Sequence, residues 1–192
     1  MTHKTIALRY FLLAAVFIAG LLLLAGTGLL RQSRQPAPGA AAAPTRAADD
    51  PATAFLQRGD DAFDQQNYET AIAEYTQAIA ANPDSAEAYN NRGLARYRAG
   101  ALGDALADYN RALSLRPDYV NALTNRAIAY FDEGDFAEVI ADTSRAIALD
   151  PSDDSAFVFR GNAYGRTGDY VQALDDWLSA QSIRMQRRAG GY

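Results

Sequence analysis

An all-α solenoid of four stacked helix pairs is the fold class this sequence predicts, and three observations carry it. Pro83, Pro117 and Pro151 stand 34 residues apart. Arg58, Arg92, Arg126 and Arg160 keep that interval, as do Ala78, Ala112, Ala146 and Ala180. So do Gly59, Gly93 and Gly161, with Ala127 in the remaining slot. Each period also splits at a turn: Gln66-Asn67, Gly100-Ala101, Gly134-Asp135 and Gly168-Asp169. A fixed period of this length with two helical patterns per period marks helix pairs that bury their apolar faces by stacking on one another.

Four units follow in order: 52–85, 86–119, 120–153 and 154–185. Within each, Gly at the turn suits the left-handed residue that ends the first helix, and Asn or Asp suits the cap of the second. The Pro near each boundary stops the second helix. In the second unit, small Gly93 and Ala105 predict a close helix approach, with Tyr89 and Tyr109 filling the space on either side. The third unit enlarges those positions to Ala127 and Val139 and shrinks the nearby aromatic to Thr143, a compensation within one core that predicts the loosest repeat. At the stacking offsets, Ala95, Ala129, Ile79, Leu113 and Ile147 are expected to be buried. Asp61 in the first unit and Gln181 in the last replace such residues and are expected to face solvent, closing the array at four repeats. Met185 takes the place of the last Pro, and 186–192 reads as a flexible tail.

These residues resemble the tetratricopeptide repeat family, whose pattern sets an aromatic, Leu-Gly, Tyr, Ala, Phe, Ala and Pro at fixed offsets. The offsets carry Phe55, Arg58-Gly59, Ala62, Ala71, Tyr75, Ala78 and Pro83 in the first unit. Tyr89, Arg92-Gly93, Arg96, Ala105, Tyr109, Ala112 and Pro117 follow in the second. The third has Leu123, Arg126-Ala127, Tyr130, Val139, Thr143, Ala146 and Pro151, and the fourth Phe157, Arg160-Gly161, Tyr164, Ala173, Trp177 and Ala180. Arg stands for the family's Leu throughout, and the third copy is degraded.

Before the repeats the chain has a different character. Residues 1–10 form a short basic tail, and Phe11–Leu30 is twenty residues without a charge, long enough to span a bilayer core as a helix. A cleaved signal peptide has the same order of basic, apolar and small residues, but its apolar run is usually about 7–15 residues long. An uncleaved signal anchor is therefore expected, with a soluble exported protein as the alternative. Lys4 and Arg9 before the span and Arg31, Arg34 and Arg46 after it nearly balance. The short N-terminal tail and export-like opening favour an extracytoplasmic (periplasmic) repeat domain on a single-pass cell-membrane protein, against a cytoplasm-facing one. Residues 31–51, with Pro36, Pro38, Pro44 and Pro51 among alanines, read as a semi-stiff linker.

Charge and composition exclude several function classes. From Asp49 onward thirteen Arg and no Lys accompany all 23 acidic residues, so nucleic acid is not an expected partner. There is no Cys, and the one His, His3, lies outside the repeats. No nucleophile elbow or phosphate-binding Gly loop occurs, and the pairs Asp60-Asp61, Asp153-Asp154 and Asp175-Asp176 point in different directions on a helix. No catalytic residue, metal site or cofactor is expected. Arg at the seventh offset and an acid at the twenty-third (Glu74, Asp108, Asp142, Asp176) predict a ladder of ion pairs, each of small worth if exposed.

The resemblance implies that the first helices line a concave groove. The residues it places there are Phe63, Asn90, Leu94, Tyr97, Arg98, Asn121, Thr124, Ile128, Phe131, Asn162 and Arg166. Phe63, Tyr97 and Phe131 would form an aromatic row, beside Asn90, Asn121 and Asn162 amides able to pair with an extended peptide. A subset of the family clamps a partner's C-terminal carboxylate with Lys and Asn residues. Here Asn91 alone matches, because Leu56, Asp60, Asn121 and Asn125 fill the other slots, so that clamp is not expected. The expected function is that of a membrane-anchored adaptor or scaffold binding a protein or peptide in the groove. The alternative is a self-associating membrane-tethered spacer, a homodimer joined through Trp177 and Leu178 of the last repeat.

Overall fold

The computed structural model describes residues 50–190. Phe11–Leu30 and the linker up to residue 49 lie outside the described residues. Among the described residues no helix is long and apolar enough to cross a membrane. They form eight helices: α1 (Pro51–Asp64), α2 (Tyr68–Ala81), α3 (Ala86–Arg98), α4 (Leu102–Leu115), α5 (Val120–Glu133), α6 (Phe136–Leu149), α7 (Asp154–Thr167) and α8 (Tyr170–Ala189). These are the four expected helix pairs, joined by tight turns. Pro51, placed in the linker by composition, instead opens α1, where the fixed φ of proline suits the first turn and no amide bond is lost.

The turns follow from their sequences. Gly100, Gly134 and Gly168 take φ of +83°, +86° and +94°, and Gln66 takes +59° in the same slot. Asn67 and Asp135 then accept the amides of Thr70 and Glu138, and Ser85 and Asp153 those of Ala88 and Ser155, satisfying donors left open at those four helix starts, whereas Ala101, Tyr119 and the expected cap Asp169 make no such bond.

Within a pair, the close approach is between glycine and aromatic. A Cβ on Gly93 would lie 2.8 Å from the Tyr109 ring, and one on Gly161 2.8 Å from Trp177. The third pair reverses the volumes, as Ala127, Val139 and Thr143 foretold, and all three are fully buried. Its Thr143 hydroxyl donates to the Val139 carbonyl one turn back. Between pairs, Leu113 is buried with Ala112, Ala122, Leu123 and Ala156, while Ile147 sits at the margin of that cluster and is half-buried. Ala95 and Ala129 are buried and Asp61 and Gln181 exposed, as expected, but Ile79 is also half-buried rather than enclosed.

Successive first helices touch: α1 with α3, α3 with α5, and α5 with α7. No second helix packs on another second helix; each meets first helices alone. The first helices therefore line the inner side of the curve and the second helices its outside.

The last helix departs from the expected boundary. α8 runs through Ala189, past Met185, because its end is tied down. Arg184 Nε and Arg187 Nη1 donate to the Asp154 carboxylate at 2.6 and 2.8 Å, and Arg187 Nη2 to the Ser152 carbonyl. Residues 186–189 are thus helix rather than tail.

Candidate functional site

In the first and fourth repeats the residue at the ninth offset accepts a hydrogen bond from the one at the twenty-fourth on the inner face. Tyr75 Oη donates to Asp60 at 2.7 Å and Trp177 Nε1 to Asn162 at 3.0 Å. In the second repeat that ninth residue is Leu94, which accepts nothing, and the Tyr109 hydroxyl is buried without a partner. Burial pushes the Tyr109 phenol well above its ordinary range. Burial and the carboxylate of Asp60 do the same to Tyr75.

A chain of amides runs beneath this face across three repeats. Asn125 donates to Asn90, Asn90 to Asn91, and Asn91 to Asp60, at 3.0, 3.0 and 3.2 Å. Asn90 is consequently buried and committed to its neighbours. It forms part of the floor and does not offer its amide to a ligand in the way its position in sequence implied. Asn91, the one residue matching the carboxylate clamp, is likewise spent on Asp60.

The predicted groove residues line three clefts. Asn90, Leu94, Asn121 and Thr124 edge one of about 500 Å³, completed by Asn91, Asn125, Asp153 and Arg187. Leu94, Tyr97, Arg98 and Ile128 line a second of about 420 Å³, with Tyr109, Asn125 and Phe159. Leu94 and Asn125 border both, so the two adjoin. Phe131, Asn162 and Arg166 belong to a third, of about 320 Å³, shared with Gly165, Tyr170 and Trp177. Phe63 lines none of the three; it packs edge-on against Tyr68 beside the first-repeat core.

The aromatic row is accordingly broken up. Phe131 packs edge-on against Phe136 and Phe159, and Tyr97 turns its hydroxyl to Asp132 at 2.6 Å across the next repeat. Burial and that carboxylate push the Tyr97 phenol up to about 12. Thr124 donates to Asp153 at 2.9 Å. The face therefore offers alternating apolar and polar surface, with Arg98, Asn121 and Arg166 exposed along it. Asn125 and Phe159 were missed as groove residues. The signal for Asn125 was its register with Asn91, since both take the sixth place of their repeats.

The ion ladder stands on the flank, and its inner rungs are not exposed. Arg92, Arg126 and Arg160 each make two bonds to Asp108, Asp142 and Asp176, at 2.7–2.9 Å, and all three acids are buried. Each Arg also reaches back to the preceding repeat, to Thr76, Asn110 and Ser144. Hydrogen bonding to the paired acid raises these guanidinium pKa values. The rungs are structural bonds within each repeat, tied by the same Arg to the repeat before it, so these three guanidinium groups are committed to the fold. Among the described residues no cluster of His, Cys, Asp and Glu could hold a metal ion.

Comparison with known proteins agrees with this architecture. Family models described as tetratricopeptide repeat match residues 56–120 and 120–153 without a gap. MamA has a crystal structure similar to this fold, with a TM-score of 0.68 at 22% identity over 74% of this chain and 84% of that one. The first TPR of Spaghetti (RPAP3), bound to the HSP90 peptide SRMEEVD, gives 0.60 at 26% identity over 62% of this chain and 94% of that one. The Arabidopsis OM64 TPR domain gives 0.59 at 24% identity over 60% and 96%. No curated protein matches the chain. On the repeat period, the paired helices and these family matches together, the chain belongs to the tetratricopeptide repeat family.

Proposed function

We propose that this chain is a non-enzymatic adaptor that receives an extended protein or peptide segment on the inner face of α1, α3, α5 and α7. The observation that carries this reading is the pair of adjoining clefts from Asn121 past Leu94 to Ile128, the first the more polar and the second the more apolar. An extended peptide presents alternating polar backbone and side-chain groups, which such a surface can match. The peptide held by Spaghetti's first TPR is a neighbouring case of a short segment bound by this fold. The chemistry of the ligand differs, since Asn91 is held by Asp60 and no cation stands in the clamp positions. A terminal carboxylate is not the group recognised here; an internal segment with an apolar anchor fits the Leu94–Ile128 cleft.

Phe11–Leu30 completes the reading as a membrane anchor that keeps the repeats on the extracytoplasmic side. Photocrosslinkers at Tyr97 and Asn121, with Ala107 on the outer helices as control, test the groove in native cells. Partners captured from the inner positions and not from Ala107 are expected; capture from Ala107 alone sinks the idea. A phosphatase or fluorescent reporter fused after Tyr192 tests the side. Intact mass tests cleavage, and a mature mass beginning near Ala42 or Ala43 makes this a soluble exported protein.

A further inference from the structure

The last helix carries a seam that no inner helix has. Val171, Leu174, Leu178 and Met185 alternate at three- and four-residue steps along α8, with Gln181 continuing the series, and the four apolar side chains are 53–74% exposed. Alternating steps of this kind describe the contact line of two helices lying side by side. The inner second helices do not share it. At the place of Val171 they carry Glu69, Gly103 and Ala137, and at that of Leu178 they carry Thr76, Asn110 and Ser144, the acceptors for the next repeat's Arg. Leu178 can accept nothing. The fourth repeat has therefore not simply been left uncovered; it has apolar residues where a following repeat would need polar ones. α8 is also 20 residues long against 14 for α2, α4 and α6, about 30 Å at 1.5 Å per residue.

We propose that two copies of this chain associate through α8, antiparallel about a two-fold axis near Gln181. Tyr170 stands exposed at one end of the seam, with the half-exposed Trp177 beside Leu178, and Arg188 stands exposed at the other, next to the Arg184 that holds Asp154. Antiparallel pairing brings each copy's Arg end onto the other's aromatic end. Arg over an aromatic ring is a contact this chain already makes within itself, as in Arg116 on Tyr119 and Arg166 on Phe136. Parallel pairing would instead crowd four Arg together and align the helix dipoles. Gln181, the one polar seam residue, lies close enough to its twin across the axis to fix the register. Tyr170, Val171, Leu174, Leu178 and Met185 are each more than half exposed, so a second helix laid along the seam has a continuous apolar line to cover. The proposal rests on α8 alone and stands or falls separately from the groove reading.

The absence of Cys makes the test direct. Full-length protein is sized by light scattering at micromolar concentration, as wild type and as Leu178→Glu, with circular dichroism as the folding control. A wild-type dimer is expected, with association weakened at least about a hundredfold in the variant. Gln181→Cys should form a disulfide with its own twin. Chains carrying Leu174→Cys should crosslink to chains carrying Arg188→Cys, and neither to itself. A wild-type monomer, a folded Leu178→Glu protein that still dimerises, or self-crosslinking of Leu174→Cys and of Arg188→Cys would each overturn the proposal. Capture of another protein at Gln181→Cys in place of a second copy would overturn it too.

Discussion

The second-to-third repeat junction and the two ends of the array use one set of sequence offsets and reach opposite physical outcomes. At the junction, Arg126 holds Asp142 with two bonds of 2.7 Å and Asn110 of the preceding repeat with a third. The side chain of Asp142 is 6% exposed. At the first repeat, Arg58 meets Glu74 through one bond, and its own side chain is 50% exposed. At the last, Leu178 stands where the inner repeats have an acceptor. A periodic sequence thus repeats its contacts, but the surroundings set what each contact is worth.

Cutting the interior should therefore cost several times what the same cut costs at an end. The largest effect is expected for Leu113→Ala, which removes the buried side chain between the second and third repeats. A loss of about 2–5 kcal/mol follows from the buried cavity, a large share of the ~5–15 kcal/mol of a whole domain. Gln181→Ala, at the equivalent offset of the last repeat, should stay within about 0.5 kcal/mol. Urea unfolding of both variants measures the ratio, and equal losses would mean that Gln181 is covered.

The ladder sharpens the same contrast. Asp142→Ala leaves the Arg126 guanidinium, four-fifths buried, without its counter-charge, and should cost about 3 kcal/mol. Glu74→Ala breaks an exposed pair and should cost no more than about 1 kcal/mol. High salt should shrink the Glu74 effect and leave the Asp142 effect nearly whole, because buried pairs are screened far less.

How much of this was legible before the structure follows the same division. Contacts between residues of one repeat recur every 34 positions, so the turns, the Gly93–Tyr109 approach and the pairing of Arg with acid could be read directly. Contacts between repeats were legible in part. Thr76, Asn110 and Ser144 giving way to Leu178 was visible, but its meaning needed the reach of Arg92, Arg126 and Arg160 into the preceding repeat. The acids paired with them are buried, where the sequence left a flank of unknown exposure. Contacts that do not repeat were hidden. Asn125 donating to Asn90, 35 residues away, and Arg187 to Asp154, 33 away, occur once each. The burial of Asn90 and the extension of α8 follow from those two contacts.

The cores of the second and third repeats can be interchanged to a limit. Gly93→Ala should lose about 1–3 kcal/mol to overpacking, since the new Cβ meets both the buried Tyr109 ring and the Ala105 carbonyl oxygen. The helix-propensity gain of about 1 kcal/mol offsets only part of that. In the third repeat Ala127→Gly should lose about 1 kcal/mol for the opposite reasons. Thermal unfolding of the two variants checks this; a stabilised Gly93→Ala would show that the Tyr109 ring yields.

Acidification should separate the last repeat from the interior. The Arg184 hydrogen bond, followed by that of Arg187, holds the Asp154 carboxyl below its ordinary value. A carboxylate with a lowered folded-state pKa contributes stability that is whole above the unfolded pKa and is lost as pH falls through the folded one. Both arginines are more than half exposed, so the contribution is about 1 kcal/mol at most. Asp154→Asn should cost that much at neutral pH and nothing at a pH below the depressed pKa. Fraying of α8 beyond Ser182, followed by amide exchange, should track the same curve.

The smallest effect belongs to the turn of the first repeat, and it should be a gain. Gln66 sits at φ +59°, where Gly100, Gly134 and Gly168 hold the same slot at φ above +80°. A side chain in the left-handed region brings its Cβ against the following carbonyl, a strain of about 1–2 kcal/mol that glycine does not carry. Glycine in turn loses more freedom on folding, which takes back about 0.5–1 kcal/mol. Gln66→Gly should therefore stabilise by roughly 0.5 kcal/mol net. Gly134→Gln, the reverse change, should destabilise the interior by about the same amount, since nothing lies within 4 Å of a Cβ placed there. A larger loss at Gly134 would mean that strain at an interior turn spreads into its neighbours, where the exposed first turn absorbs it locally.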